Sequence, residues 1–252
     1  MLEGLRTARG VARSLWIYYG GRRRTRLMDR LHAGFVGPGD LVFDIGSHVG
    51  DRVASFRRLG CRVVAVEPQP ALVRVLRLLY GNAAEVAIEP CAVGAAPGRL
   101  DLRINIDNPT ISTASDDFIA SAAGAPGWAD EAWTRTVTVP VTTLDALIAR
   151  HGVPRFVKID VEGFEAEVLA GLSQPLEVLS FEFTTIQRGV AEGGIARCAA
   201  LGPYRFNAAL GESQALVHDR WLGASEIGAW LADLPYAANS GDIYAKLGSD
   251  AH

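Results

Sequence analysis

The sequence predicts a doubly wound α/β domain built on a parallel sheet, and three observations carry that prediction. Continuous apolar runs, such as LVFDI at 41–45 and RVVAV at 62–66, recur along the chain. Strands covered on both faces read this way, whereas half-exposed strands alternate. Helical patterns separate the runs, which implies right-handed crossovers between parallel strands. The run at 41–45 also ends in a glycine-bearing turn, DIGSHVGD, at the place where an open α/β sheet receives its ligand.

Taken in order, residues 1–34 read as an amphipathic helical extension, with Leu27, Leu31 and Phe35 along one face. GPGD at 37–40 is turn chemistry and opens the main domain, residues 35–252. Apolar runs place strands at 41–45, 62–66, 85–90, 100–104, 136–140, 156–159, 178–183, 204–209 and 242–246. Helical patterns fall at 51–59, 71–80, 144–150, 165–171, 195–200 and 225–231. Residues 105–135 break the alternation, being rich in Ser, Thr, Asp, Ala and Gly with two tryptophans. A long insert in a compact domain is usually functional or disordered; a substrate-facing lid and a passive surface loop both stay open.

Composition narrows the function classes. With 49% hydrophobic and 21% charged residues, the chain can build a core. A net charge of −3 gives no basic face of the kind nucleic acid requires. The basic run GRRRTR at 21–26 is read as a solvated helix face, with contact to an anionic substrate or partner as the sharper alternative. Cys61, Cys91 and Cys198 are odd in number and widely spaced, so neither a disulfide framework nor a structural zinc site is expected. No stretch suits a membrane span or a signal peptide. The expectation is a cytoplasmic protein with a small-molecule partner, and no nucleic acid or membrane partner; the sequence is silent on oligomeric state.

The turn after 41–45 separates two cofactor classes. A dinucleotide fingerprint needs G-x-G-x-x-G, so that backbone can approach a pyrophosphate. Here the pattern is D-x-G-x-x-x-G, from Asp44, Gly46 and Gly50, with an acid at the strand end that would repel phosphate. A carboxylate there suits S-adenosylmethionine, which carries an ammonium and a sulfonium and no phosphate. About 20 residues on, VVAVEP presents Glu67 where ribose hydroxyls would be held, and charge-assisted hydrogen bonds are the stronger kind. Gly46 as a plain tight turn and Gly50 as a close helix contact remain the structural alternatives.

With those residues placed, the chain resembles the FkbM family of S-adenosylmethionine-dependent methyltransferases. Four stretches carry the likeness in order: FDIGSHVGDRV, VVAVEPQP, VPVTTLDAL and, the most specific, VKIDVEGFEAEVLAG at 157–171. CAVG at 91–94 adds to it. The resemblance implies a class I methyltransferase fold, Rossmann-like, with a mostly parallel seven-stranded sheet and a reversed strand near its carboxyl-terminal edge. DIYAK at 242–246 is the candidate for that strand. It also implies that Asp44, Gly46, Ser47, His48 and Gly50 surround the methionine part of the cofactor. Glu67, with Pro68 beside it, would hold the ribose; Ala92 would lie near adenine, and Asp160 beside the transferring methyl. Family loops commonly carry Asn where this chain has His48.

A methyltransferase must hold the acceptor about 3–3.5 Å from the methyl carbon, and such orientation supplies roughly 7–11 kcal/mol. A hydroxyl acceptor must also lose a proton, and a positioned base adds about 10²–10⁴-fold. His48, Asp160, Glu162 and Glu182 are the bases in reach of the strand tips, Asp160 being the first choice. The structural alternatives are that Asp160 holds the cofactor's ammonium and that Glu162 caps the following helix. Lys158 is expected in a buried ion pair, and Glu165 at a helix start, where its charge suits the dipole. Asp160 and Glu162 could share Mg²⁺, but two carboxylates are too few to assign a metal site. Thr110, Ser112, Thr113 and Ser115 offer hydroxyls to a polar substrate, while Trp128 and Trp133 either stack on a sugar or pack in the core. The leading function is O-methylation of a hydroxyl on a sugar or secondary metabolite. The competing ones are N-methylation of a small molecule, an NAD-dependent oxidoreductase, and a cofactor-binding protein without catalysis.

Overall fold

The computed structural model describes residues 2–248. Two helices come first, α1 (Leu2–Tyr19) and α2 (Arg22–His32), separated at Gly20 and Gly21, so the expected helical extension is broken in two. Strand and helix then alternate through β1 (Leu41–Ile45), α3 (Asp51–Arg58), β2 (Arg62–Val66), α4 (Pro70–Tyr80) and β3 (Val86–Glu89). Pro70 opens α4, where its fixed φ and missing N–H are harmless. Leu72, Val73, Leu76 and Tyr80 recur at helical spacing and are buried.

The middle of the chain forms β4 (Ala92–Val93), β5 (Gly98–Ile104), α5 (Asp116–Ala122) and β6 (Arg135–Thr142). After it come α6 (Leu144–His151), β7 (Phe156–Ile159), α7 (Glu165–Ala170), β8 (Val178–Thr184), α8 (Arg188–Leu201), β9 (Tyr204–Leu210), α9 (Ala224–Asp233) and β10 (Ser240–Leu247). Helix α8 starts seven residues before the expected 195, because Gly189, Gly193 and Gly194 dilute its apolar pattern.

Seven strands form the main sheet in the order β3-β2-β1-β7-β8-β10-β9. The first five are parallel, and β10 runs antiparallel to both β8 and β9. This is the class I methyltransferase arrangement, with the reversed strand at the segment expected for it. Strands β4, β6 and β5 stand apart as a second sheet of three, which the run of apolar segments did not foretell. Its outer positions alternate, as befits an antiparallel pair with one wet face: Leu102 and Val139 are buried while Asp101 and Thr138 are exposed.

Alternate residues of each central strand feed two apolar layers, one on each face. Phe43, Ile45, Val64, Val157, Ile159 and Phe181 pack against Leu144, Leu147, Val168 and Leu169. Val42, Val63, Ala65 and Phe156 pack against Val53, Phe56, Leu76 and Tyr80. All three cysteines are buried and unbridged. Among the described residues no helix is long and apolar enough to cross a membrane.

Candidate active site

Chain leaves β1 toward β2 on one side and β7 toward β8 on the other, so the β1–β7 crevice is the topological switch point. A cavity of about 150 Å³, partly open to solvent, lies there. Gly46, Ser47 and His48 line it from the β1 loop, Glu67 and Pro68 from the β2 tip, and Ala92 from β4. Asp160 and Glu162 line it from the β7 loop.

The β1 loop is tightly determined. Gly46 sits at φ 85°, and a Cβ there would overlap the carbonyl oxygen of Asp160, so only glycine lets the loop lie against the β7 tip. His48 adopts φ 50°, a left-handed conformation that Asn and His tolerate better than most residues. That gives a physical reason for Asn and His to exchange at this position. The N–H groups of Gly46 and Ser47 both donate to the Val66 carbonyl, at 2.9 and 3.0 Å, and Gly50 N–H donates to Ser47 at 2.8 Å. His48 N–H donates to Glu67 Oε2 at 2.9 Å, while Gln69 N–H donates to Glu67 Oε1 at 2.8 Å. Glu67 is 2% exposed, and burial pushes its carboxyl up to about 8 against the pull of those two amides.

Two of the expected cofactor residues lie elsewhere. Asp44 is fully buried, and neither carboxylate oxygen has a hydrogen-bond partner among the described residues. It belongs to β1 itself, one residue before the tip, so its side chain enters a covered face of the sheet rather than the cavity wall. Burial pushes it up to about 7. Gly50 is also outside the wall: at φ 82° it packs on α4, where a Cβ would stand 2.6 Å from the Tyr80 ring. Its role is the close helix contact.

The charged groups converge from four elements. Lys158, 2% exposed, lies 3.2 Å from Asp160 and 2.7 Å from Asp242, the buried ion pair expected of it. Arg52, in the first turn of α3, approaches Asp160 at 3.5 Å and Asp51 and Glu212 at 3.8 Å each. Burial alone would raise Asp160, but the Lys158 ammonium and Arg52 guanidinium outweigh it and hold the carboxyl below its usual range. Glu162 is pushed well up by burial and by the neighbouring Asp160 and Glu165. Glu182, projecting from β8, is pushed up by burial and by Glu162 and Asp160. It brings a third carboxylate beside the two that seemed too few for a metal.

Glu165 begins α7 and accepts from the N–H groups of Val161, at 3.0 Å, and Gly163, at 3.1 Å. Glu162 caps nothing with its side chain; its carbonyl accepts from Thr113 Oγ1 at 2.6 Å. The His48 ring lies edge-on to Tyr18, with centroids 5.3 Å apart, and its Nε2 is 3.5 Å from Thr110 Oγ1. Burial pulls this imidazole down to about 4, so it is neutral near pH 7.

Thr110 and Ser112 reach the cavity from the insert. Trp128 and Trp133 do not; both meet the buried Phe118 edge-on, and Trp133 Nε1 donates to Ile111 at 2.8 Å. Arg24 of the basic run is turned inward, 2.8 Å from Asp51 and 2.9 Å from Glu212, while Arg22, Arg23 and Arg26 are exposed. Sequence reasoning missed Tyr18, Arg52, Gln69, Glu212 and Asp242 in the wall.

The family model described as the methyltransferase FkbM domain matches residues 44–200, more than half of the chain. The chain belongs to the FkbM methyltransferase family. A hexuronic acid methyltransferase, AglP of Haloferax volcanii, is 29% identical over 154 residues, covering 60% of this chain and 57% of that protein. The FkbM chain thus spans little more than half the length of this curated relative. Solved structures similar to it include a precorrin-6Y C5,15-methyltransferase from Geobacter metallireducens, at TM-score 0.45 and 13% identity, covering 88% of this chain and 87% of that one. A TehB-like S-adenosylmethionine-dependent methyltransferase from Corynebacterium glutamicum is similar at TM-score 0.45 and 10% identity, covering 88% of each chain.

The cofactor of the family is S-adenosylmethionine, and the loop fits it. The amides of Gly46, Ser47, His48 and Gly50 are all engaged within the protein, so they are not free to cradle a pyrophosphate. Beside them the Glu67 carboxyl stands in the cavity wall. The β1 loop therefore offers acceptors where a dinucleotide needs donors.

Proposed function

We propose that this protein is an S-adenosylmethionine-dependent O-methyltransferase acting on a sugar or secondary-metabolite hydroxyl. The observation that carries the reading is the β1 loop, where the Gly46, Ser47, His48 and Gly50 amides are committed internally while Glu67 remains in the cavity wall. S-adenosylmethionine, when bound, supplies the electrophilic methyl. Glu67 accepts hydrogen bonds from the ribose hydroxyls, and Pro68 and Ala92 flank the nucleoside. Ser47 and the close approach of Gly46 to Asp160 shape the methionine end.

Residues 1–34 and the insert at 105–135 supply the acceptor side, since Tyr18, Thr110 and Ser112 reach the wall. His48 Nε2 takes the hydroxyl proton. Its ring is unprotonated near pH 7 and outside an ion pair, whereas Asp160 is engaged by Lys158 and Arg52, and burial pushes Glu162 and Glu182 up toward the protonated form, which accepts no proton. The first choice from sequence, Asp160, then becomes a positioning residue, and Glu162 sits in the acidic wall behind it. The hexuronic acid substrate in the relative's name supports an acidic sugar as acceptor. Arg52, the one Lys or Arg side chain lining the cavity among the described residues, would meet its carboxylate.

Methylation of an amine is the reading that the same acidic wall would favour instead. Calorimetry with S-adenosylhomocysteine and NAD tests the cofactor. Turnover on uronic acids, neutral glycosides and amino sugars, followed by mass spectrometry of the product, tests the acceptor. Binding of NAD without S-adenosylhomocysteine, or methyl transfer to amino groups alone, would overturn the proposal.

A further inference from the structure

We infer that Asp160, Glu162 and Glu182 bind one divalent cation in the wall of the cavity. The inference deepens the methyltransferase reading and rests on it only for the purpose the ion serves. One carboxylate oxygen from each residue lies within 4.8 Å of the other two. The three come from adjacent parallel strands: Asp160 and Glu162 follow β7, and Glu182 is on β8.

A cluster of acids needs more than proximity, and here two carboxylates lack partners. Glu162 is only 6% exposed, and its carboxylate makes no hydrogen bond or ion pair among the described residues. Glu182 Oε2 is buried without a hydrogen-bond partner as well. Lys158 does not serve them, being held between Asp160 and Asp242, and Arg52 reaches Asp160 alone of the three. Buried polar groups are nearly always bonded, so a pair left open in a cavity wall calls for something to close it.

The donor set defines the ion. Oxygen ligands without His or Cys select a hard cation, Mg²⁺, Mn²⁺ or Ca²⁺, over zinc or copper. Cis ligands of such an ion at about 2.1 Å lie about 3 Å apart, so the carboxylates need only a modest contraction. Three protein ligands leave positions for water and for acceptor oxygens. An acceptor hydroxyl bound there would lose its proton to His48 more readily, because a metal ion acidifies a bound oxygen.

The test uses the full chain and Mn²⁺ alone, titrated by electron paramagnetic resonance. One saturable Mn²⁺ per chain is expected, weakened about tenfold or more by Glu162→Gln and by Glu182→Gln. Thermal melting controls for folding. Without the ion both variants should melt no lower than the unmodified chain, since each removes an uncompensated carboxylate. With Mn²⁺ the unmodified chain should gain more than either variant. No saturable binding, or binding unchanged in both variants, would overturn the site. S-adenosylhomocysteine calorimetry without metal is read separately: its failure sinks the methyltransferase reading, while the Mn²⁺ titration still decides the ion.

Discussion

Residues 46–50 and 160–163 turn the chain out of two neighbouring parallel strands, β1 and β7, and the two turns share a design. Each holds a non-glycine residue in the left-handed region, His48 at φ 50° and Glu162 at φ 55°, and each leads into a helix that begins with an acid. They differ in what they leave undone. In the first, Glu67 is gripped by two amides, and the N–H groups of Gly46, Ser47, His48 and Gly50 have acceptors. In the second, Glu165 takes up the Val161 and Gly163 amides, yet the Glu162 side chain has no partner among the described residues. A turn with four of its five amides bonded has its shape before any ligand arrives, which is what cofactor recognition needs. A turn with open carboxylates takes its final form from what binds there.

The comparison can be broken most sharply at His48. His48→Asn keeps a residue suited to the left-handed backbone, so S-adenosylhomocysteine affinity should hold while turnover falls about 10²-fold or more, the usual contribution of a positioned base. Steady-state kinetics beside calorimetry measures both. Unchanged turnover would return proton transfer to Asp160.

Gly46→Ala attacks the seam between the two turns. A Cβ would collide with the Asp160 carbonyl oxygen at a φ that L-residues avoid. The expected loss is about 3 kcal/mol of stability, read by denaturant unfolding. A neutral result would mean that the seam is loose and the preformed loop a misreading.

Glu67→Ala should weaken S-adenosylhomocysteine binding by about 1–3 kcal/mol, the cost of a lost hydrogen-bond partner and two released amides. Calorimetry that finds full affinity would remove Glu67 from ribose recognition.

The most gradual effect is in pH. His48 falls from an ordinary 6.5 to about 4 on folding, so the unfolded chain binds the proton first. Its contribution is complete above pH 6.5 and is lost as pH falls toward 4, at no more than about 1.4 kcal/mol per pH unit. Melting curves across that window should therefore slope less for His48→Asn. Equal slopes would show that the imidazole is not buried as described.

Much of this site was legible in the residues. β1, β2 and β7 stand where their apolar runs put them, because strands buried on both faces leave a continuous signature. Glu67 and Asp160 were readable because strand tips in a parallel sheet align without help from distant segments. Asp44 misled: spacing marks it as a strand-end acid, but the side-chain period of two sends it into a covered face. β4 has two residues, too few for any pattern. Tyr18, Glu212 and Asp242 enter the wall from segments far apart in sequence, and only the folded chain brings them together.

A turn whose main chain is already committed discriminates before any side chain is consulted. Phosphorylated nucleotides meet acceptors where they seek donors, while a nucleoside whose charged tail includes cations finds matching ground. Because the Gly46, Ser47 and Gly50 amides are tied to backbone carbonyls, exchanging one side chain on the loop for another would leave those three commitments in place.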